Sequence, residues 1–298
     1  MKVGVRFRKS PILKNKKIDT AMAIDALIDY LRDPYQRTAR VFPGLLTALP
    51  LLIPLLWILG PRSPILTALL ALVTSCGAVY GLASGARGLG KRLEERLIKK
   101  WGGMPTTIIL RHRDTHLDDY TKARYHKIIS EKLQTTLPNA NDEERDPVSS
   151  DQIYSGVTRH LRELTRGKKY SLLLKENIAY GFHRNMLAMK PIGLTTSAIG
   201  MLFGLLQSQV VQFAPLQIQI SKLLTPGTAA GITLFGATAI LFSWLYFTEA
   251  HLKRIGYAYA ERLFESACEI DVSPPQDGTR KSRRTRAAPR ATTKADDA

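Results

Sequence analysis

One stretch of this sequence concentrates side chains that can do chemistry: Arg111, His112, Arg113, Asp114, Thr115, His116, Leu117, Asp118 and Asp119. His112, Asp114 and His116 alternate, so on an extended chain they would share one face and could ligate a metal with Asp118 or Asp119. The same residues also read as a solvated, salt-bridged turn that ends in a helix cap. A second chemistry uses the bases: Arg111, Arg113, Lys122, Arg124 and Lys127 could receive a phosphate-bearing ligand such as a nucleotide signal. The run Tyr180, Gly181, Phe182, His183, Arg184, Asn185 offers aromatics and a base suited to anchoring a domain at a membrane boundary.

Other motifs fail on inspection. Gly85, Gly90 and Lys91 have the spacing of a phosphate-binding loop, but Arg92 stands where Ser or Thr is required, and an apolar helix rather than a strand precedes it. There is no nucleophile elbow, kinase signature or paired-cysteine motif, so no catalytic residue and no cofactor is expected. Cys76 and Cys268 are too few for a disulfide framework or a thiolate metal site.

The elements that must carry these clusters are helical. After a charged amphipathic helix over residues 90–101, Gly102, Gly103 and Pro105 break the chain. Residues 106–111 read as a short strand or extended link, 118–133 as a helix, and 135–147, rich in Asn, Asp, Glu and Pro, as a loop. Helices are expected over 150–165 and 172–189, the second running on into an apolar stretch. About 90 residues can bury a core, which makes this a folded module rather than a linker.

Mean hydropathy near zero hides two unlike parts. Four runs, residues 39–60, 65–86, 191–211 and 227–248, are apolar and almost free of charge, and about 22 residues at 1.5 Å each cover the roughly 30 Å of a bilayer core. They predict four transmembrane helices in two hairpins, the first closed by Pro61, Arg62, Ser63 and Pro64. The third run is the weakest, since it loses its apolar character at Gln207, Ser208 and Gln209. No cleaved signal peptide is expected, because the first run begins too late and is too long. The 43 Lys and Arg, against 25 Asp and Glu, fall outside the runs: ten in residues 1–40, one in 61–64, twenty-one in 87–190, one in 207–226 and ten in 249–298. Basic flanks stay inside, so both termini and residues 87–190 are expected in the cytoplasm of a bacterial cell, with the chain in its inner membrane. Topology accounts for most of the surplus of +18, and nucleic acid is not expected as a partner.

The predicted organisation is therefore an all-α membrane protein. A basic amphipathic segment (1–38) precedes hairpin one (39–86), a cytoplasmic helical domain (87–190), hairpin two (191–248), an amphipathic helix (249–272) and a disordered basic tail (273–298). Residues 18–33 form the amphipathic part of the first segment. Gly77, Gly81 and Gly85 in the second run, Gly200 and Gly204 in the third, and Gly227 and Gly231 in the fourth recur every four residues, a spacing that permits close helix association and points to a homo-oligomer. The frequency of glycine in membrane helices accounts equally well for the single pairs. Pro50 and Pro54 allow a kink in the first run. The central parts of the runs hold no ionisable residue, which argues against a pump or ion-coupled carrier. The glutamine-rich segment 207–222 could line a polar mouth, lie in the membrane interface, or form a hydrated loop.

Over roughly residues 40–270 the chain resembles an uncharacterised bacterial family of four-span proteins. The resemblance is carried by Trp101-Gly102-Gly103-Met104-Pro105-Thr106-Thr107, by Thr121-Lys122-Ala123-Arg124-Tyr125-His126, and by Asn177-Ile178-Ala179-Tyr180-Gly181-Phe182-His183-Arg184-Asn185. It transfers no chemistry. In plan alone the chain is also similar to four-span membrane effectors of antiphage defence, which implies a cytoplasmic cue that triggers membrane damage. Two functions stay open: a membrane-disrupting or channel-like effector switched at its cytoplasmic domain, and a non-conducting scaffold that recruits a cytoplasmic protein partner to the lipid bilayer.

Overall fold

A computed structural model describes residues 32–59, 79–213 and 216–270, and helices dominate them. Most of the second apolar run, with Gly77, lies outside the described residues, as do the tail from 273 and all but the last two residues of the amphipathic segment 18–33. Three helical stretches, Pro34–Trp57, Ser171–Gln207 and Thr228–Tyr246, are long and apolar enough to cross a membrane, so the chain is a helical membrane protein.

The first stretch starts with Asp33, whose carboxylate accepts the Tyr35 N–H at 3.0 Å, and Pro34 in the first turn. A π-turn (Arg37–Val41) then leads into helix α1 (Phe42–Leu59). Helix α2 (Val79–Trp101) carries the last residues of the second apolar run straight into the charged amphipathic segment. It stops where Gly102 takes φ +78° and the Gly103 N–H returns to the Ile98 carbonyl at 2.9 Å.

Two local expectations are corrected in the segment that follows. Residues 106–111 are neither strand nor extended link. Pro105 starts a buried one-turn helix, α3 (Pro105–Ile108), because its fixed φ suits the first helical position and its missing N–H costs nothing there. The 135–147 loop contains a helix, α5 (Ala140–Arg145), closed by a capping box between Asn139 and Asp142. Between them lies α4 (Asp119–Leu133), capped by Asp118, which accepts from Thr121 N at 2.8 Å. Asp146 and Pro147 then start α6 (Pro147–Leu164). A 3₁₀ turn (Lys168–Tyr170) precedes α7 (Ser171–Gln207), one helix of 37 residues that does run on into the third apolar stretch.

Beyond α7 the glutamine-rich segment folds as a β-hairpin, β1 (Val211–Phe213) against β2 (Leu216–Ile218), with Gln212 opposite Gln217 and Val211 opposite Ile218. Its alternation puts apolar residues on one face, and Leu216 and Ile218 are 71% and 70% exposed. A one-turn helix α8 (Ser221–Leu224) leads to α9 (Thr228–Tyr246), and Thr248 caps α10 (Glu249–Ala267).

Helix α7 is central and packs on α1, α2, α9 and α10. Its first third closes a head core in which Ile109, Leu110, Ile129, Tyr154, Leu161 and Phe264 are buried. Its middle packs with Trp244 and Phe247 around Met186 and Met189. A smaller cluster of Leu97, Tyr180 and Leu252 links the two levels.

Candidate functional site

The turn that holds the His–Asp–His pattern is tied from below by one carboxylate. Glu143 on α5 is 2% exposed and accepts from the backbone N–H groups of His112 (2.7 Å) and Arg113 (3.3 Å), from Arg113 Nη1 (2.8 Å) and from the Tyr154 hydroxyl (2.9 Å). Burial pushes its carboxyl up, but those donors outweigh burial and hold it below the usual carboxylate range. Burial and the adjacent Glu143 carboxylate push the Tyr154 phenol well up. Asp151 on α6 takes Arg111 through both oxygens, at 2.7 and 2.8 Å, and also meets Arg113 at 3.1 Å. Lys122, 4% exposed, donates to the carbonyls of His112 and Asp114.

These contacts decide what the predicted site residues can do. Arg111 and Lys122 are buried and engaged inside the fold, and Arg113, though exposed, is paired with Glu143 and Asp151, whereas Arg124 and Lys127 lie exposed on α4, with Lys127 4.0 Å from Glu131. The five bases are not gathered around one opening. His112, Asp114 and His116 do not converge either. His112 Nε2 donates to the Pro138 carbonyl at 3.1 Å and its ring meets His126 edge-on. Asp114 accepts from His116 N at 3.0 Å, and His116 Nε2 pairs with Glu261 at 2.8 Å, its ring stacked on Tyr257. Among the described residues no three His, Cys, Asp or Glu side chains are grouped to hold a metal ion. The alternating spacing fails because this stretch is turns rather than extended chain.

The glycines divide as sharply. A Cβ on Gly200 would come 2.6 Å from the Pro50 carbonyl oxygen, and one on Gly204 would meet Leu234 at 2.7 Å. Pro54 has no N–H to give Pro50, so that carbonyl is free, and Gly200 brings its Cα hydrogens against it. Around Gly81, Gly85 and Gly227 a Cβ would find nothing within 4 Å among the described residues, and Gly231 would make only an ordinary contact with Pro226. Close approaches also occur where no four-residue spacing marks them: Gly44 on Leu82, Gly193 on the Trp244 ring, and Gly256 on Pro105.

The third cluster builds the junction between head and bundle. Arg184 pairs with Glu94 on α2 at 2.9 Å, and both side chains are largely buried. Asn185 donates to the Ala39 carbonyl at 2.5 Å, which Pro43, lacking an N–H, cannot engage in helical fashion. Gly90 lets α2 press onto this amide, since a Cβ there would overlap the Asn185 oxygen. Beside the ion pair a recess of about 220 Å³ is lined by Tyr35, Glu94, Arg162, Tyr180 and Tyr259 among others. It adjoins one of about 480 Å³ that shares Arg162, Asn177 and Tyr259 and adds Arg166 and Tyr170. The Tyr180 hydroxyl is buried near Glu94 without a hydrogen bond of good geometry. Burial raises the Tyr259 phenol while Arg162 pulls it down. Chemically this junction can bind and orient a ligand, because its cations face a cavity that the head cations do not. Arg162, Arg166 and Tyr259 carry no sequence signature, for the two arginines at the end of α6 and the tyrosine on α10 are about 95 residues apart. No protein-family model, no curated protein and no solved structure matches the chain.

Proposed function

We propose that this chain is a four-span protein of the bacterial inner membrane, with its head and both termini cytoplasmic, acting as a channel-like effector that permeabilises the membrane when its head receives a cue. One observation carries the reading: α7 is a wall of the head core and the centre of the membrane bundle without a break, about 55 Å of continuous helix. A change in how the head grips its first turns must tilt or rotate the apolar half, because a packed helix moves as a body. The fourth span is residues 65–86, whose last part begins α2, and the placement of Lys and Arg sets the orientation. The loop between α7 and α9 supports the membrane reading as well. An exposed apolar hairpin face next to the ends of two membrane-length helices suits the lipid interface.

A non-conducting scaffold is the competing reading, and the tight seams at Gly193 and Gly200 favour it, since they hold one protomer closed. Membrane potential and growth of bacteria expressing the intact chain separate the two, beside a variant with Gly77, Gly81 and Gly85 all changed to leucine. Depolarisation that the variant abolishes supports an oligomeric effector working through the open glycine face. An undisturbed potential across a range of expression levels, with normal growth, supports the scaffold.

A further inference from the structure

The recess at the junction holds groups for which the fold has no other use. Its two parts are lined by three arginines, Arg162, Arg166 and Arg184, against one carboxylate, Glu94, and that carboxylate is paired with Arg184. Arg162 makes only a 3.4 Å contact from Nε to the Thr158 carbonyl, and neither it nor Arg166 meets a carboxylate among the described residues. The start of α7 faces the same space through Tyr170 and Leu173, and no side chain caps it, so the positive end of a 37-residue helix adds to the two guanidinium groups. Deeper in, Tyr180 is 7% exposed, its buried hydroxyl lies near Glu94 without a hydrogen bond of good geometry, and its ring stacks with Tyr259 at 6.4 Å. Cation, uncapped helix start, aromatic wall and unsatisfied hydroxyl thus converge on a cavity of small-molecule size.

We propose that this recess binds a small molecule carrying a phosphate group on an aromatic or apolar body. The phosphate takes the Arg162 and Arg166 forks at the mouth and the first turn of α7, which suit its charge and geometry. The body lies along Tyr259, with a polar edge reaching Tyr180. Arginine-bound phosphate can come from solution or from a lipid headgroup. Residues 171–177 precede the apolar run that begins at Pro191 by 14 to 20 positions, about 20–30 Å along the helix, which favours a soluble source. Because the recess is walled by α2, α6, α7 and α10 together, occupancy ties head to bundle. That it switches the membrane rests on the effector reading; that it binds does not.

The test uses the full chain in nanodiscs of phosphatidylcholine, titrated with ATP and with inorganic pyrophosphate and followed by calorimetry. Saturable ATP binding is expected, about tenfold weaker in Arg162→Ala, about a hundredfold weaker in Arg162→Ala/Arg166→Ala, and unchanged in Lys127→Ala. Both arginines are exposed, and circular dichroism verifies that each variant keeps its helices. Tyr180→Phe is expected to cost a few-fold for ATP and nothing for pyrophosphate. A second arm replaces part of the phosphatidylcholine with phosphatidylglycerol, without solute. Thermal stabilisation there that the double variant removes assigns the phosphate to lipid. Absence of saturable binding in every arm, or binding that the double variant leaves intact, overturns the proposal. Binding without ion leakage in the same nanodisc protein moved to liposomes leaves the site standing and counts against the effector.

Discussion

The head and the bundle of this molecule are held by opposite means. In the head, polar groups are buried in pairs: Glu143 collects four donors, Asp151 holds two arginines, and Lys122 closes two carbonyls. In the bundle the contacts are backbone against backbone or ring, at Gly193 on Trp244 and Gly200 on Pro50, with carbonyls freed by Pro43 and Pro54 met from a neighbouring helix. The difference follows from the solvent each part displaces. Water competes for every polar group in the head, so only a fully satisfied network survives burial there. Among apolar helices in lipid no hydrophobic force favours association, and close approach through small residues supplies it instead.

The contrast is broken hardest at Glu143. Glu143→Ala strands two backbone donors, leaves the Tyr154 hydroxyl only a 3.5 Å contact with the Pro138 carbonyl and takes from Arg113 one of its two carboxylates, at an expected cost of about 3–5 kcal/mol. Hydrogen exchange across residues 109–118 should rise steeply while amides of α9 stay protected. Equal loss of protection in both regions would show that head and bundle do not unfold separately. Next comes Gly200→Ala, expected to destabilise by about 1–3 kcal/mol because its methyl meets a rigid carbonyl. Gly81→Ala is expected to do the reverse, adding about 0.5–1 kcal/mol of helix propensity, since nothing among the described residues meets its Cβ. Thermal unfolding of the two variants in one detergent reads both signs, and destabilisation by Gly81→Ala would place a partner, from residues 60–78 or another copy, on that face.

What could be read from the sequence follows the same division. The Asp118 cap, the α6 and α7 helices and the run of α7 into an apolar stretch were legible, because caps and hydrophobic periods are local. Helix α5 was not, as Asn139, Asp142 and Asp146 are the residues of loops and of caps alike, and only the three-residue spacing of Asn139 and Asp142 distinguishes the two. Thr106, Thr107 and Ile108 favour a strand by propensity, yet burial beside Gly256 and the lead given by Pro105 make them helical. Of the glycines, the four-residue rule found Gly200 and Gly204 but missed Gly44, Gly90 and Gly193, whose need for a bare Cα is set by the helix opposite. The metal and phosphate candidates at 111–127 were plausible by residue type, and their fate hung on Glu143 and Asp151, which are remote in sequence and gave no signal.

Acid should dismantle the head in an order that sharpens the comparison. His126 donates to the Leu110 carbonyl from a site whose burial lowers its pKa below 6.5, so the unfolded chain binds its proton more readily and stability falls as pH drops through and below that value. Glu143, also lowered, contributes stability that is complete above about 4.5 and lost as pH falls through its depressed native value. Denaturant midpoints measured from pH 8 to 3 should therefore decline in two windows, and His126→Gln should flatten only the upper one. A single fall below pH 4.5 would mean that His126 is more exposed to water than its contacts imply.

The smallest effect belongs to the bases that the head leaves outside its network. Arg124→Ala and Lys127→Ala remove charges from the exposed face of α4, where a 4.0 Å pair with Glu131 is worth at most a few tenths of a kcal/mol and salt screens it further. Their unfolding midpoints should stay within error of the parent, and the loss of Lys127→Ala stability on adding 0.5 M salt should be indistinguishable from the parent's. If either variant instead loses as much stability as Gly200→Ala, the surface of α4 is covered in the native assembly, and the head has a partner whose carboxylates or phosphates meet those two bases.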